Sequence, residues 1–187
     1  FKTASKLDEA CQFIYNLAKE GKTVVFVGTK RQAQDIVREE AIAAGAPYMV
    51  VRWLGGMITN WDQLKKSIDK MKRMKKDRAE GKLDMFTKKE RVLMDKDISR
   101  LERFFGGVEN ITGVPDAIFL IDIGKEDNAL KEATMKGVQT VAIVDSNCDP
   151  TRVTYAIPAN DDAVRSVKLL VHAVGTAYKE GKMVCQK

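Results

Sequence analysis

The run TVVFVG at 23–28 is apolar almost throughout and closes on a glycine. A strand covered on both faces needs such a run, because neither set of alternate side chains meets water. YMVVRW (48–53), DAIFLIDI (116–123) and TVAIVDS (140–146) have the same character, and TYAIP (154–158) makes a short fifth. Between them the period changes from two to about 3.6. SKLDEACQFIYNLAKEGK (5–22) places Leu7, Ala10, Cys11, Ile14, Leu17 and Ala18 on one face, and Gly21 stops it. TKRQAQDIVREEAIAAG (29–45), NALKEATMKG (128–137) and DDAVRSVKLLVHAVGTAYKEG (161–181) read as further helices, with Thr29 expected to cap the second and Asn160 or Asp161 the last. Strand and helix in alternation require crossover connections and a mostly parallel sheet with helices on both sides.

The middle of the chain departs from this alternation. Trp61, Leu64, Ile68 and Met71 recur in steps of three and four, and so do Met94, Ile98, Leu101, Phe105 and Val108. TKKE (87–90) has the form of a capping box, and Gly106-Gly107 ends the second stretch. Two narrow apolar seams joined by a polar loop predict an antiparallel coiled-coil hairpin, each arm roughly 30 Å long, projecting from the sheet rather than completing its core. The fold class expected is therefore α/β: a doubly wound, mostly parallel sheet in a flavodoxin-like three-layer sandwich, with an inserted, protruding α-helical coiled-coil hairpin. Residues 1–56 and 107–187 would form the sandwich and 57–106 the hairpin.

Charge separates the same two parts. The net charge of the 187 residues is +6. Residues 65–103 carry fifteen Lys and Arg against eight Asp and Glu, a net of +7, and the remainder carries seventeen against eighteen, a net of −1. A charge run is often a solvated face. Concentration of the whole excess on one arm favours phosphate contact, because each cation that neutralises a phosphate releases counterions. The candidates are Lys65, Lys66, Lys72, Arg73, Lys75, Lys76, Lys88, Lys89 and Arg91 on the hairpin, with Lys30, Arg31 and Arg52 near strand ends.

Chemistry at the strand ends is weakly signalled. VGTKRQAQ (27–34) has one glycine, neither GxGxxG nor GxxxxGK[ST], and reads as a strand-to-helix turn. Asp122, Asp145 and Asp149 fall near strand ends without a paired histidine, and are expected to shape turns. Cys148 has no base partner, since the single histidine, His172, is expected at the core boundary of the last helix. Three scattered cysteines fit a reducing compartment, and no catalytic residue, metal site, cofactor, small-molecule substrate or membrane association is expected. A small-molecule enzyme on the same fold, binding a nucleotide or sugar phosphate, is the rival reading, and a free RNA-binding regulator is a third.

RWLGGMITNW (52–61) closely resembles a motif of the bacterial small-ribosomal-subunit protein two family. FVGTKRQA, TKKE, LERFFGGV, GVPDAIFLIDI, KEATMKGVQTVAIVDSNCDP and IPANDDAVRSVKLL agree with it in order and spacing through nearly the whole chain. The resemblance implies a structural component of the ribosome that binds small-subunit rRNA near the junction of head and body. It also implies neighbouring ribosomal proteins as partners, including the large mRNA-binding protein one, and a cytoplasmic location. The family's usual H-F-G-H-like N-terminal segment and its tail are not in this sequence. Trp53, Gly55, Gly56 and Trp61 are expected to form a hinge: the glycines turn the backbone, and the indoles pack at the root of the hairpin.

Overall fold

A computed structural model describes residues 2–185. Helix α1 (Lys2–Lys19) leads into β1 (Val24–Val27), α2 (Gln34–Ala44) and β2 (Tyr48–Met49). Two long helices follow, α3 (Trp61–Ala79) and α4 (Lys88–Phe105), and then β3 (Ala117–Leu120), α5 (Asp127–Lys136), β4 (Gln139–Val144), β5 (Tyr155–Pro158) and α6 (Val164–Cys185). The five strands are all parallel, in the order β2-β1-β3-β4-β5, the order of flavodoxin-like doubly wound sheets.

The two faces of the sheet follow from strand alternation. Val24, Phe26, Phe119, Ile121, Val141 and Ile143 point to one side and are buried with Ile14 of α1, Val37 of α2, and Val171 and Tyr178 of α6. Val25, Val27, Ile118, Leu120, Ala142 and Val144 point to the other side and are buried with Ala129, Leu130 and Ala133 of α5. The same second cluster takes in Met57, Ile58, Ile68, Met71, Phe105 and Val108. The α3–α4 hairpin is thus the crossover between β2 and β3, and its root fills the place of a covering helix. The expectation that it leaves the core to the sheet domain is corrected there: Met71 and Val108 are wholly buried, in the same cluster as Val25 and Val27 of β1.

The capping box at the start of α4 forms as expected. Thr87 Oγ1 accepts from Glu90 N at 3.4 Å, and Glu90 Oε2 accepts from Thr87 N at 2.9 Å. Asn160 shapes the turn that leads into α6, its Oδ1 accepting from Asp162 N and Ala163 N before the helix begins at Val164. Three local expectations fail. Thr29 does not cap α2: its N–H and hydroxyl both donate to Glu126, and the helix starts five residues later, after a turn closed by Lys30 O. The second strand stops at Met49, because β1 has run out: Gly28 N makes the last bond to Met49 O, and residues 50–53 leave the sheet. His172 is exposed, at 65% for its side chain, and Nδ1 sits 2.9 Å from Glu40 on α2.

Candidate nucleic-acid interface

The loop from Arg52 to Trp61 is organised by one side chain from α5. Glu132 Oε1 accepts from Trp53 Nε1 at 3.0 Å and Gly56 N at 2.8 Å; Oε2 accepts from Ile58 N, Thr59 N and Thr59 Oγ1 at 3.1, 3.2 and 3.0 Å. Burial works against ionisation of this carboxyl, but the donors from Trp53, Gly56, Thr59 and Ile58 outweigh it and hold the group below its usual range. Trp53 is buried beyond the end of β2 rather than within the strand, and Trp61 opens α3, partly buried against the same cluster. Of the two glycines only Gly56 has a positive φ, +91°, and a Cβ there would sit 3.2 Å from Asn60 Cβ; Gly55 faces open space. Arg52 is carried outward, exposed, beside this knot.

The candidate cations divide by their partners. Lys30 Nζ lies 2.6 Å from Asp162, 2.9 Å from Asp161 and 3.6 Å from Asp122. Burial opposes its charge, but the hydrogen bonds to Asp162 and Asp161 prevail and raise its pKa. Its positive charge is neutralised inside the fold, whereas Arg31, the next residue, is exposed with no carboxylate partner among the described residues. Lys75 bridges Glu102 and Glu109, each at 3.1 Å, and ties α3 to α4. Lys76 faces Glu80 at 3.7 Å. Arg91 is half-buried near the start of α4 and has a partner of its own. Lys65, Lys66, Lys72, Arg73, Lys88 and Lys89 are exposed without a carboxylate partner among the described residues.

Helical geometry shows which arm is the more uniform. At about 100° per residue, Lys88, Lys89, Lys96, Arg100 and Arg103 share the face of α4 opposite the Met94–Ile98–Leu101–Phe105 seam, and all five are exposed. Only Arg100 of these has an ion-pair partner among the described residues, Asp97 at 3.4 Å. The outer face of α3 mixes Lys66 and Arg73 with Asp62 and Asp69. Sequence reasoning missed Lys96, Arg100 and Arg103, although the steps of three, four and seven from Lys89 carried the signal.

The strand-end carboxylates have structural partners. Asp122 accepts from Gly124 N and Lys125 N, Asp145 from Ser146 N, and Asp149 from Thr151 N and Oγ1. Ligand oxygens of Asp145, Asp161 and Asp162 come within 4.8 Å of one another, with Lys30 as counter-charge to the last two. All three cysteines are free, and burial, aided by Asp8, pushes the Cys11 thiol up to about 11. No helix among the described residues is long and apolar enough to cross a membrane.

The wound sheet and the long basic helices α3 and α4 frame the comparison with known proteins. Residues 1–181 match the family described as Ribosomal protein S2. The chain belongs to that family. A curated relative, small ribosomal subunit protein uS2c of Mesostigma viride, is 44% identical over 183 residues, covering 98% of this chain and 80% of the relative. For an S2 family member the turn-shaping roles of Asp122, Asp145 and Asp149 need no reaction to explain them.

Proposed function

We propose that this chain is a structural protein of the small ribosomal subunit that holds rRNA by its phosphate backbone. It is not an enzyme: the family and the curated relative are both ribosomal. The observation that carries the RNA contact is the outer face of α4, where Lys88, Lys89, Lys96 and Arg103 stand exposed without carboxylate partners among the described residues. Such a face neutralises phosphates without reading bases, since lysine and arginine on a helix exterior meet the RNA backbone first. Lys65, Lys66, Lys72 and Arg73 extend the contact to α3, and Arg31 and Arg52 extend it to the strand ends. Lys30 and Lys75 hold the fold together instead.

The finer partners follow from the same reading. Other small-subunit proteins adjoin the chain, and the large mRNA-binding protein one is the partner proposed among them. The three free cysteines support a reducing compartment, in keeping with a cytoplasmic ribosome. Sedimentation of a cell lysate through sucrose at raised salt tests the assignment. About one copy per small subunit is expected, and a chain confined to the top of the gradient would overturn it.

A further inference from the structure

In a doubly wound sheet, ligands bind beyond the carboxyl ends of the strands where the strand order reverses, here between β1 and β3. A crevice of about 570 Å³ lies at that place. Three segments line it: Thr29, Arg31 and Gln34 after β1; Val51, Arg52 and Trp53 after β2; and Lys125, Glu126 and Asn128 after β3.

Its charge is one-sided. Arg31 and Arg52 are exposed and have no carboxylate partner among the described residues. Lys125 Nζ donates to a neutral acceptor, Thr29 O, at 3.0 Å, so its charge is not cancelled by an ion pair. The one carboxylate in the lining, Glu126, is buried and accepts both the N–H and the hydroxyl of Thr29. Burial raises its pKa against the opposing pull of the Thr29 donors and Lys125. Lys30 is drawn to Asp161 and Asp162 and does not line the crevice.

We infer that this crevice is a phosphate-binding pocket, with Arg31, Arg52 and Lys125 as its cationic contacts. Guanidinium groups match phosphate oxygens two at a time, and the lysine adds a point charge. Trp53 is only 8% exposed and its indole nitrogen is taken by Glu132, so it walls the pocket and offers no face for a base to stack on. The pocket therefore selects phosphate and is indifferent to the base. The source we assign is a backbone phosphate of rRNA, which rests on the function proposed above; a free phosphorylated metabolite has the same chemistry.

The test separates these. The free full chain is titrated with inorganic phosphate, with adenosine monophosphate and with a short oligouridylate at constant ionic strength, while backbone amide shifts are followed. Shifts at residues 29–34 and 125–128 are expected, with affinity at least tenfold weaker in an Arg31→Ala, Arg52→Ala double variant that keeps the parent's unfolding midpoint. Absence of those shifts with all three ligands overturns the pocket. In parallel, iron-EDTA tethered through Asn128→Cys, in purified subunits whose copy of the chain also carries Cys11→Ser, Cys148→Ser and Cys185→Ser, is expected to cleave rRNA locally. Shifts in the free chain without that cleavage overturn the rRNA source and leave a free phosphorylated ligand as the occupant. Failure of the chain to sediment with the subunit overturns the ribosomal reading alone, because the titration of the free chain does not depend on it.

Discussion

Glu132 on α5 receives the indole N–H of Trp53 at 3.0 Å, across 79 residues of sequence, and the same carboxylate takes four more donors from residues 56–59. The loop that launches the hairpin is therefore held from the sheet domain. Removing the acceptor strands partly buried donors, each costing about 1–3 kcal/mol. Glu132→Ala is expected to destabilise the fold by about 3 kcal/mol. Glu132→Gln, which turns an amide N–H₂ toward some of those donors, is expected to cost about 1–2 kcal/mol. Urea unfolding measures both, and an alanine variant matching the parent would remove Glu132 from its role.

Two glutamates give opposite pH signatures. The folded-state pKa of Glu132 is depressed, so its stabilisation is full above the unfolded value of about 4.3 and is lost as pH falls through the folded value. Glu126 is raised, chiefly by burial, so its contribution is full below that unfolded value and is lost as pH rises through the folded one. Glu126→Gln keeps an acceptor for Thr29 and is expected to gain on the parent between about pH 4 and 7. Glu132→Gln is expected to lose less than the parent on acidification. Unfolding free energies across that range decide both, and parallel curves for parent and variant would contradict either assignment.

Gly107 sits against β2. A Cβ there would lie 2.2 Å from Tyr48 O and 2.8 Å from its ring, whereas at Gly106 the nearest such contact is Glu102 Cγ at 3.6 Å. Gly107→Ala is expected to cost about 3 kcal/mol, the upper range for overpacking, and Gly106→Ala less than about 0.5 kcal/mol. Thermal unfolding of the pair is the check, and equal midpoints would show that the sheet edge yields.

Trp61→Ala removes a partly buried ring from the root of the hairpin. A loss of about 2 kcal/mol is expected, below the range for a wholly buried tryptophan. Hydrogen exchange should quicken in α3 and α4 and leave α1 and α6 unchanged, with RNA affinity falling indirectly. Unaltered protection of α3 would mean that the ring does not secure the hairpin.

Salt dependence separates cations that meet phosphate from cations that hold the fold. Replacing Lys88, Lys89, Lys96 or Arg103 by alanine is expected to reduce the slope of log affinity for rRNA against log salt by about 0.7–0.9 for each phosphate no longer neutralised. Lys75→Ala should leave the slope in place, because its ammonium is committed to Glu102 and Glu109. Filter binding across a salt series measures this, and a uniform change for all five variants would defeat the distinction.

What is legible in the sequence is what is local or periodic. The box from Thr87 to Glu90 spans four residues, and the apolar runs of β1, β3 and β4 are continuous, so pattern alone suffices. What escapes depends on distant partners. Lys30 and Arg31 look equivalent in the chain, yet Asp161 and Asp162, some 130 positions away, neutralise one and leave the other. Thr29 has the residue type and position of a helix cap, but Glu126 competes for its hydroxyl. His172 falls at the boundary of an apolar face, but α2 supplies Glu40 and the ring stays in solvent. The organising role of Glu132 has no local signature, since every one of its donors lies more than seventy residues away.

The buried root of the hairpin has a mechanical meaning. α4 contains 18 residues, which makes it about 27 Å long. Over that length a tilt of about 5° at Phe105 swings the far end by roughly 2 Å, a large part of the reach of an ion pair. Packing of Ile68, Met71 and Phe105 against the sheet thus acts as a gunsight for lysines that touch none of them. Substitutions in the core can miss the target as surely as the loss of a charge.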